Sequence, residues 1–193
     1  MPTVDPSTKG DGGLNAQDFE VYVLRTMACE ESMSERALDR LGVSVAESEV
    51  TRQAVSAATQ LAPGQVEELI EILGEGMTVV RRRDGEVATV VRRTFGTWPG
   101  LVFQVTANDA GICTDARFVR PPDQAPEKPS DPSALEPWKY TKDEIAEWFG
   151  PLEEGDAWPP FEEFGLHDAE AGQNHEYDVV FSWGLLQSIK PTR

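Results

Sequence analysis

The residues from Met77 to Val119 constrain the fold more than any other part of the chain. Apolar and polar side chains alternate there through four short runs separated by turn signals. Asp84-Gly85 is the dipeptide of a two-residue hairpin, and Asn108-Asp109-Ala110-Gly111 marks a further turn. The spacing predicts a four-stranded antiparallel meander. In its first hairpin Val80 falls opposite Thr89 and Val79 opposite Val90. Pairing Ala107 with Ile112 across the later turn sets Val105 opposite Thr114, Phe103 opposite Ala116 and Leu101 opposite Phe118. One face then collects Leu101, Phe103, Val105, Ile112, Ala116 and Phe118. A turn through Gly96–Gly100, with Phe95 facing Leu101, adds Val87, Thr89 and Val91. Strands have period two, so a one-residue slip would break this separation. Arg81, Arg83, Arg92 and Arg117 fall on the outer face with Gln104, Thr106 and Asp115. Arg93 lands beside Phe103, where it must stack on the ring or reach past the sheet edge.

Before the meander the pattern is helical. Residues 1–13 read as a loose polar tail. Asn15 is a cap for a first helix with Phe19, Val23 and Met27 as its stripe, although Phe19–Val23 also alternates like a strand. A second helix spans Ser34 to Leu41, stopped by Gly42. Ser44 and Glu47 form a capping box that opens a third, with Val50, Ala54, Ala57 and Leu61 as its expected buried side. Pro63 opens a fourth, with Val66, Leu69, Ile70 and Leu73 inward and Gly74 at its end.

After the meander, residues 120–137 hold six prolines and almost no large apolar residue, the composition of a semi-extended linker. Thr141 and Glu144 form a capping box, and Tyr140 and Ile145 occupy the staple positions of a helix running through Trp148 and Phe149 to Gly150. Trp158, Phe161 and Phe164 lie among prolines and acids in a segment that reads as irregular. Tyr177–Trp183 alternates as one strand, with Tyr177, Val179, Phe181 and Trp183 on one side. The expectation is an α+β fold. Its core domain, 14–119, has N-terminal helices packed on the meander. The linker, 120–137, leads to an acidic, aromatic-rich segment, 138–193, of one helix and one strand folding back onto the core.

Charge bounds the function. The chain has 17 Lys and Arg against 34 Asp and Glu, a net charge of −17, and residues 123–178 hold sixteen acids and three bases. Such a surface opposes phosphate backbones and membranes and favours a basic partner. An acid-rich source proteome would give the same composition. No membrane-length apolar run or signal-peptide core is present, so a cytoplasmic protein is the expectation. Cys29 and Cys113 are read as free thiols, with no zinc-ligand spacing.

No GxSxG, GxGxxG or Walker pattern occurs. The histidines, His167 and His175, lie among acids at a spacing that matches no ligand motif, and a solvated loop is the simpler reading. Neither catalytic residues nor metal or other cofactor are expected; a metal-dependent hydrolase using the two histidines is the remotest alternative. The helices and first hairpin, roughly residues 15–93, resemble a winged helix-turn-helix, which would imply a DNA-binding regulator with a basic wing. Glu67, Glu68, Glu71 and Glu75 on the helix before that wing would repel DNA. Internal salt bridges or anion binding account for Arg81, Arg83, Arg92 and Arg117 more simply. Trp148, Phe149, Trp158, Phe161 and Phe164, with Glu162 and Glu163, are the candidate partner-binding residues. The expected function is a non-catalytic module for a basic protein surface: an inhibitor, immunity protein, chaperone or accessory assembly protein of bacterial or phage origin.

Overall fold

The computed structural model of the chain describes residues 13–59, 64–74, 77–83, 86–168 and 175–192, with side chains left aside at 77–83, 86–87, 168 and 175. The expected tail, Pro63, Leu61 and the Asp84-Gly85 turn lie outside the described residues. Helix α1 (Ala16–Arg25) starts at Asn15, whose side chain accepts from the Gln17 and Asp18 amides while Asp18 returns a bond to the Asn15 amide. That reciprocal cap decides the ambiguity at Phe19–Val23 for helix. The element is the central rod of the core, buried from Phe19 through Leu24. Helix α2 (Glu31–Leu41) ends at Gly42 in the left-handed region, φ 70°.

Helix α3 (Val45–Thr59) corrects the expected face. Val50 is 68 % exposed and Ala54 and Ala57 are exposed, whereas Ser48, Thr51, Val55 and Thr59 are buried. The hydroxyls tolerate burial because the helix satisfies them: Ser48 donates to the Val45 carbonyl and Thr59 to that of Val55. Helix α4 (Val66–Leu73) buries Val66, Leu69, Ile72 and Leu73, with Ile70 packed at the margin.

Strands β1 (Met77–Arg83), β2 (Glu86–Arg93), β3 (Val102–Ala107) and β4 (Cys113–Val119) form the meander in chain order. The first hairpin has the expected register, Val80 opposite Thr89 and Val79 opposite Val90. The last is shifted by two residues: Phe103 meets Phe118, Val105 meets Ala116, and the register breaks before Ala107, which meets Cys113. The cause is a wider turn. The Asn108 side chain accepts from the Ala110 and Ile112 amides, and Thr114 bulges with its hydroxyl on the Thr106 carbonyl. A shift of two preserves the faces, so Leu101, Phe103, Val105 and Phe118 still point into the core. Arg92, Gln104 and Arg117 share one outer row.

The C-terminal segment holds a second four-stranded antiparallel sheet rather than one strand. Helix α5 (Lys142–Phe149) carries the expected capping box, with Tyr140 and Ile145 buried beside it. Strands β5 (Leu152–Trp158), β6 (Phe161–Asp168), β7 (His175–Ser182) and β8 (Leu185–Pro191) follow, again in chain order. The irregular aromatic segment is thus a hairpin turning at the cis Pro159-Pro160 peptide. His167 lies on β6 opposite Glu176, and His175 opposite Asp168, so the histidines are on strands and not in a loop. Alternation along β6 and β7 turns Leu166, Tyr177, Val179 and Phe181 into a second core with Ile145, Leu186 and, from the linker, Leu135.

Trp183 leaves that pattern. It sits with Gly184 in the two-residue turn joining β7 to β8, both at positive φ (54° and 68°), where both central residues of the favoured hairpin turn need it. Its ring enters the first core instead of the second, edge-on to Tyr22 at 6.2 Å and Phe103 at 5.5 Å. Its indole N–H donates to the Thr26 hydroxyl at 3.0 Å. Its backbone N–H donates to the Pro160 carbonyl, and its carbonyl accepts from the Phe118 amide. The linker is held as well, with Pro132 and Leu135 buried, and just past it Trp138 lies edge-on to Trp98 at 5.7 Å. Docking of the C-terminal segment on the first core therefore runs through Trp183 and Trp138.

Candidate functional site

The two sheets enclose a cleft of about 660 Å³. Residues Cys113–Arg117 of β4 form one wall. The tip of the β5–β6 hairpin, with Ala157, Pro159, Pro160 and Glu162, forms the other, and Tyr22 and Trp183 supply aromatic surface. The β7–β8 turn positions the cleft, since Gly184 rests against β4 so closely that a Cβ there would lie 3.2 Å from that of Arg117.

Both cations of the cleft are committed to acids. Lys142 donates to Glu162 at 2.7 Å and lies 5.1 Å from the Phe164 ring centre. Arg117 reaches Asp143 at 3.3 Å, and Asp115 lies 3.2 Å from its Nε but off the N–H axis. Such half-exposed pairs contribute about 0–1 kcal/mol each, so they set the local charge rather than the stability. Burial pushes the Cys113 thiol pKa up, and Glu67 and Glu68 act in the same direction, so this cleft sulfur stays protonated at neutral pH. Cys29, half-buried, is raised mainly by burial too; both cysteines are free.

The candidate partner residues separate into two groups. Trp148 packs edge-on against Tyr140, Phe149 lies under the Lys128 ammonium, and Phe164 packs edge-on against Phe181. These three serve the second core, and Glu162 is held by Lys142. Trp158 is 58 % exposed and stacks on Phe161 with ring centres 4.5 Å apart at the hairpin tip. On β6, alternation puts Phe161 on the same face as Glu163 and His167, and Glu176 and Asp178 extend that face on β7. Glu163, Glu176 and Asp178 are exposed, as are Glu153, Glu154 and Asp156 on β5, the outermost strand. His167 lies 3.2 Å from Glu153 and 3.6 Å from Glu176. Among the described residues no group of three or more His, Cys, Asp or Glu is placed to hold a metal.

Of the four arginines assigned to ion pairs or anions, Arg117 has carboxylate partners. Arg92 donates to Gln104, and the side chains of Arg81 and Arg83 lie outside the description. Arg120 was not among the candidates, yet it links the two halves through a mostly buried ion pair. Its Nε donates to Glu144 at 2.5 Å and its Nη2 to the Lys139 carbonyl, with both partner side chains of the ion pair mostly buried. The signal available in sequence was its place at the end of the meander, before a proline run. Glu67, Glu68 and Glu71 stand exposed on α4, where a groove-reading helix would meet phosphate. No helix among the described residues is long and apolar enough to cross a membrane. Comparison with protein-family models, curated proteins and solved structures finds no match.

Proposed function

We propose that the chain is a non-catalytic binding module that recognises a basic protein surface through the β5–β6 hairpin tip and the acidic face beside it. The observation that supports this most is the stacked Trp158–Phe161 pair: a large apolar anchor exposed on a sheet face that also carries Glu163, Glu176 and Asp178. Aromatic anchors supply binding energy where they are desolvated, and surrounding charges supply orientation and rate. An inhibitor, immunity protein, dedicated chaperone or assembly factor would use such a surface. Affinity capture from source lysate at low salt tests the reading. The wild type is expected to retain a basic protein and lose it as salt rises. Trp158→Ala with Phe161→Ala is expected to weaken retention by about 2 kcal/mol, roughly thirtyfold, with unchanged thermal stability. Retention of nucleic acid alone, or of the same protein equally by the variant, contradicts the reading.

A further inference from the structure

We infer that the cleft between the sheets receives an extended peptide segment of the basic partner, added as a strand to the free edge of β4. The inference rests on the reading above that the partner is a basic protein, and it assigns the site and the manner of holding.

Strand β4 is the last of its sheet, so β3 occupies only one of its edges. The other edge is closed at its ends, where the Cys113 amide donates to the Gly64 carbonyl at 2.9 Å and the Phe118 amide to the Trp183 carbonyl at 2.8 Å. Between these closures, no backbone partner meets the outer edge of Thr114–Arg117 among the described residues. In an antiparallel ladder successive residues direct their amide and carbonyl to opposite edges. The Phe118 amide points away from β3, so Ala116 points the same way, while Asp115 and Arg117 bond toward β3. Ala116 thus offers one donor and one acceptor to the cleft, a template for strand addition.

The surroundings select the occupant. The wall facing β4 is apolar at Ala157, Pro159 and Pro160, which suits an aliphatic side chain projecting from the added strand. Arg117 and Lys142 are already held by Asp143 and Glu162. The acids at the cleft outnumber its cations, Asp115, Asp143 and Glu162 against Arg117 and Lys142, and Asp115 is exposed at the β4 wall. An aliphatic residue flanked by lysine or arginine in extended conformation meets both conditions.

The probe is a short acetylated, fluorescent peptide alternating lysine with leucine, titrated into the full chain by anisotropy and followed by amide hydrogen exchange. Binding is expected to slow exchange of the Ala116 amide. Ala116→Pro removes that donor while sparing the ladder to β3, a position where an edge strand tolerates proline, and is expected to weaken binding by about tenfold. The same peptide N-methylated at alternate residues is expected to lose about as much on the unaltered protein, which keeps the test decisive if the proline variant does not fold. Equal binding of the N-methylated peptide, or protection confined to the outer face of the second sheet, overturns strand addition while leaving a salt-sensitive basic-partner reading intact. Failure of the lysine peptide to bind at low salt removes both.

Discussion

Trp183→Ala is expected to lower the unfolding free energy by about 3–5 kcal/mol, the usual cost of truncating a large buried aromatic. The ring is 6 % exposed, touches Tyr22 and Phe103 in the first core, and anchors its indole N–H on Thr26. The residue itself belongs to the second sheet, so the loss falls on the joint between the halves. The expected signature in urea is a separation of the single transition into two, with the cleft opening first. Trp183→Gly separates ring from backbone. A non-glycine residue in the left-handed region costs about 1–2 kcal/mol, and glycine at φ 54° relieves that cost. The glycine variant should therefore be about 1 kcal/mol less destabilised than the alanine variant. Chemical denaturation of both, with exposed Trp158→Ala as the reference within about 0.5 kcal/mol of wild type, checks the assignment. A Trp183→Ala protein as stable as the reference would show that the hairpin tip does not hold the halves together.

Arg120→Met is expected to cost about 3 kcal/mol, because it leaves Glu144 mostly buried without its cation. The pair's side chains are 13 % and 15 % exposed, and Arg120 also serves the Lys139 carbonyl. Glu144 has a second task, since its other oxygen accepts from the Thr141 amide at 2.8 Å in the cap of α5. Glu144→Gln keeps that cap acceptor and loses the charge. The double variant should then be less destabilised than the sum of the singles, the mark of a direct interaction. Arg120→Lys is not expected to rescue, because a single ammonium does not reproduce a planar fork aimed at acceptors in different directions. Thermal unfolding of the four proteins measures the coupling, and additive effects would contradict it.

The meander, the α5 cap and the sites of most helix ends were legible because each rests on local chemistry: alternation, a glycine stop, an oxygen three residues from an amide. The second sheet was not. Strand β5, Leu-Glu-Glu-Gly-Asp-Ala-Trp, is exposed along nearly its whole length, so it has no apolar face to alternate with. Strand β8 is buried at Leu185, Leu186 and Gln187 in succession because the chain just after the linker covers its outer edge, where the Trp138 amide donates to the Leu186 carbonyl and the Leu186 amide to that of Tyr140. That erases the period of two. The same limit applied to α3, where buried threonines and serines carry no hydropathy signal. Alternation extends the strand through Trp183 and puts it on the side of Tyr177, Val179 and Phe181, whereas β7 stops at Ser182 and Trp183 turns into the first core, its direction set by a turn with positive φ that local sequence reserves for glycine and asparagine. Of the site, the exposed Trp158–Phe161 pair was among the named residues. The cleft was not, because it exists only between elements far apart in the chain. Arg120 escaped for the same reason.

The hairpin tip and its acidic surroundings are proposed to meet a basic protein. The most direct measurement replaces Trp158 by photoreactive benzoylphenylalanine and cross-links the intact protein in source lysate, with identification of the adduct by mass spectrometry. The expected result is a protein adduct whose linked peptide is rich in lysine and arginine, formed at low salt and lost at high salt. Cross-links to nucleic acid or to acidic proteins, or none at low salt, would contradict it.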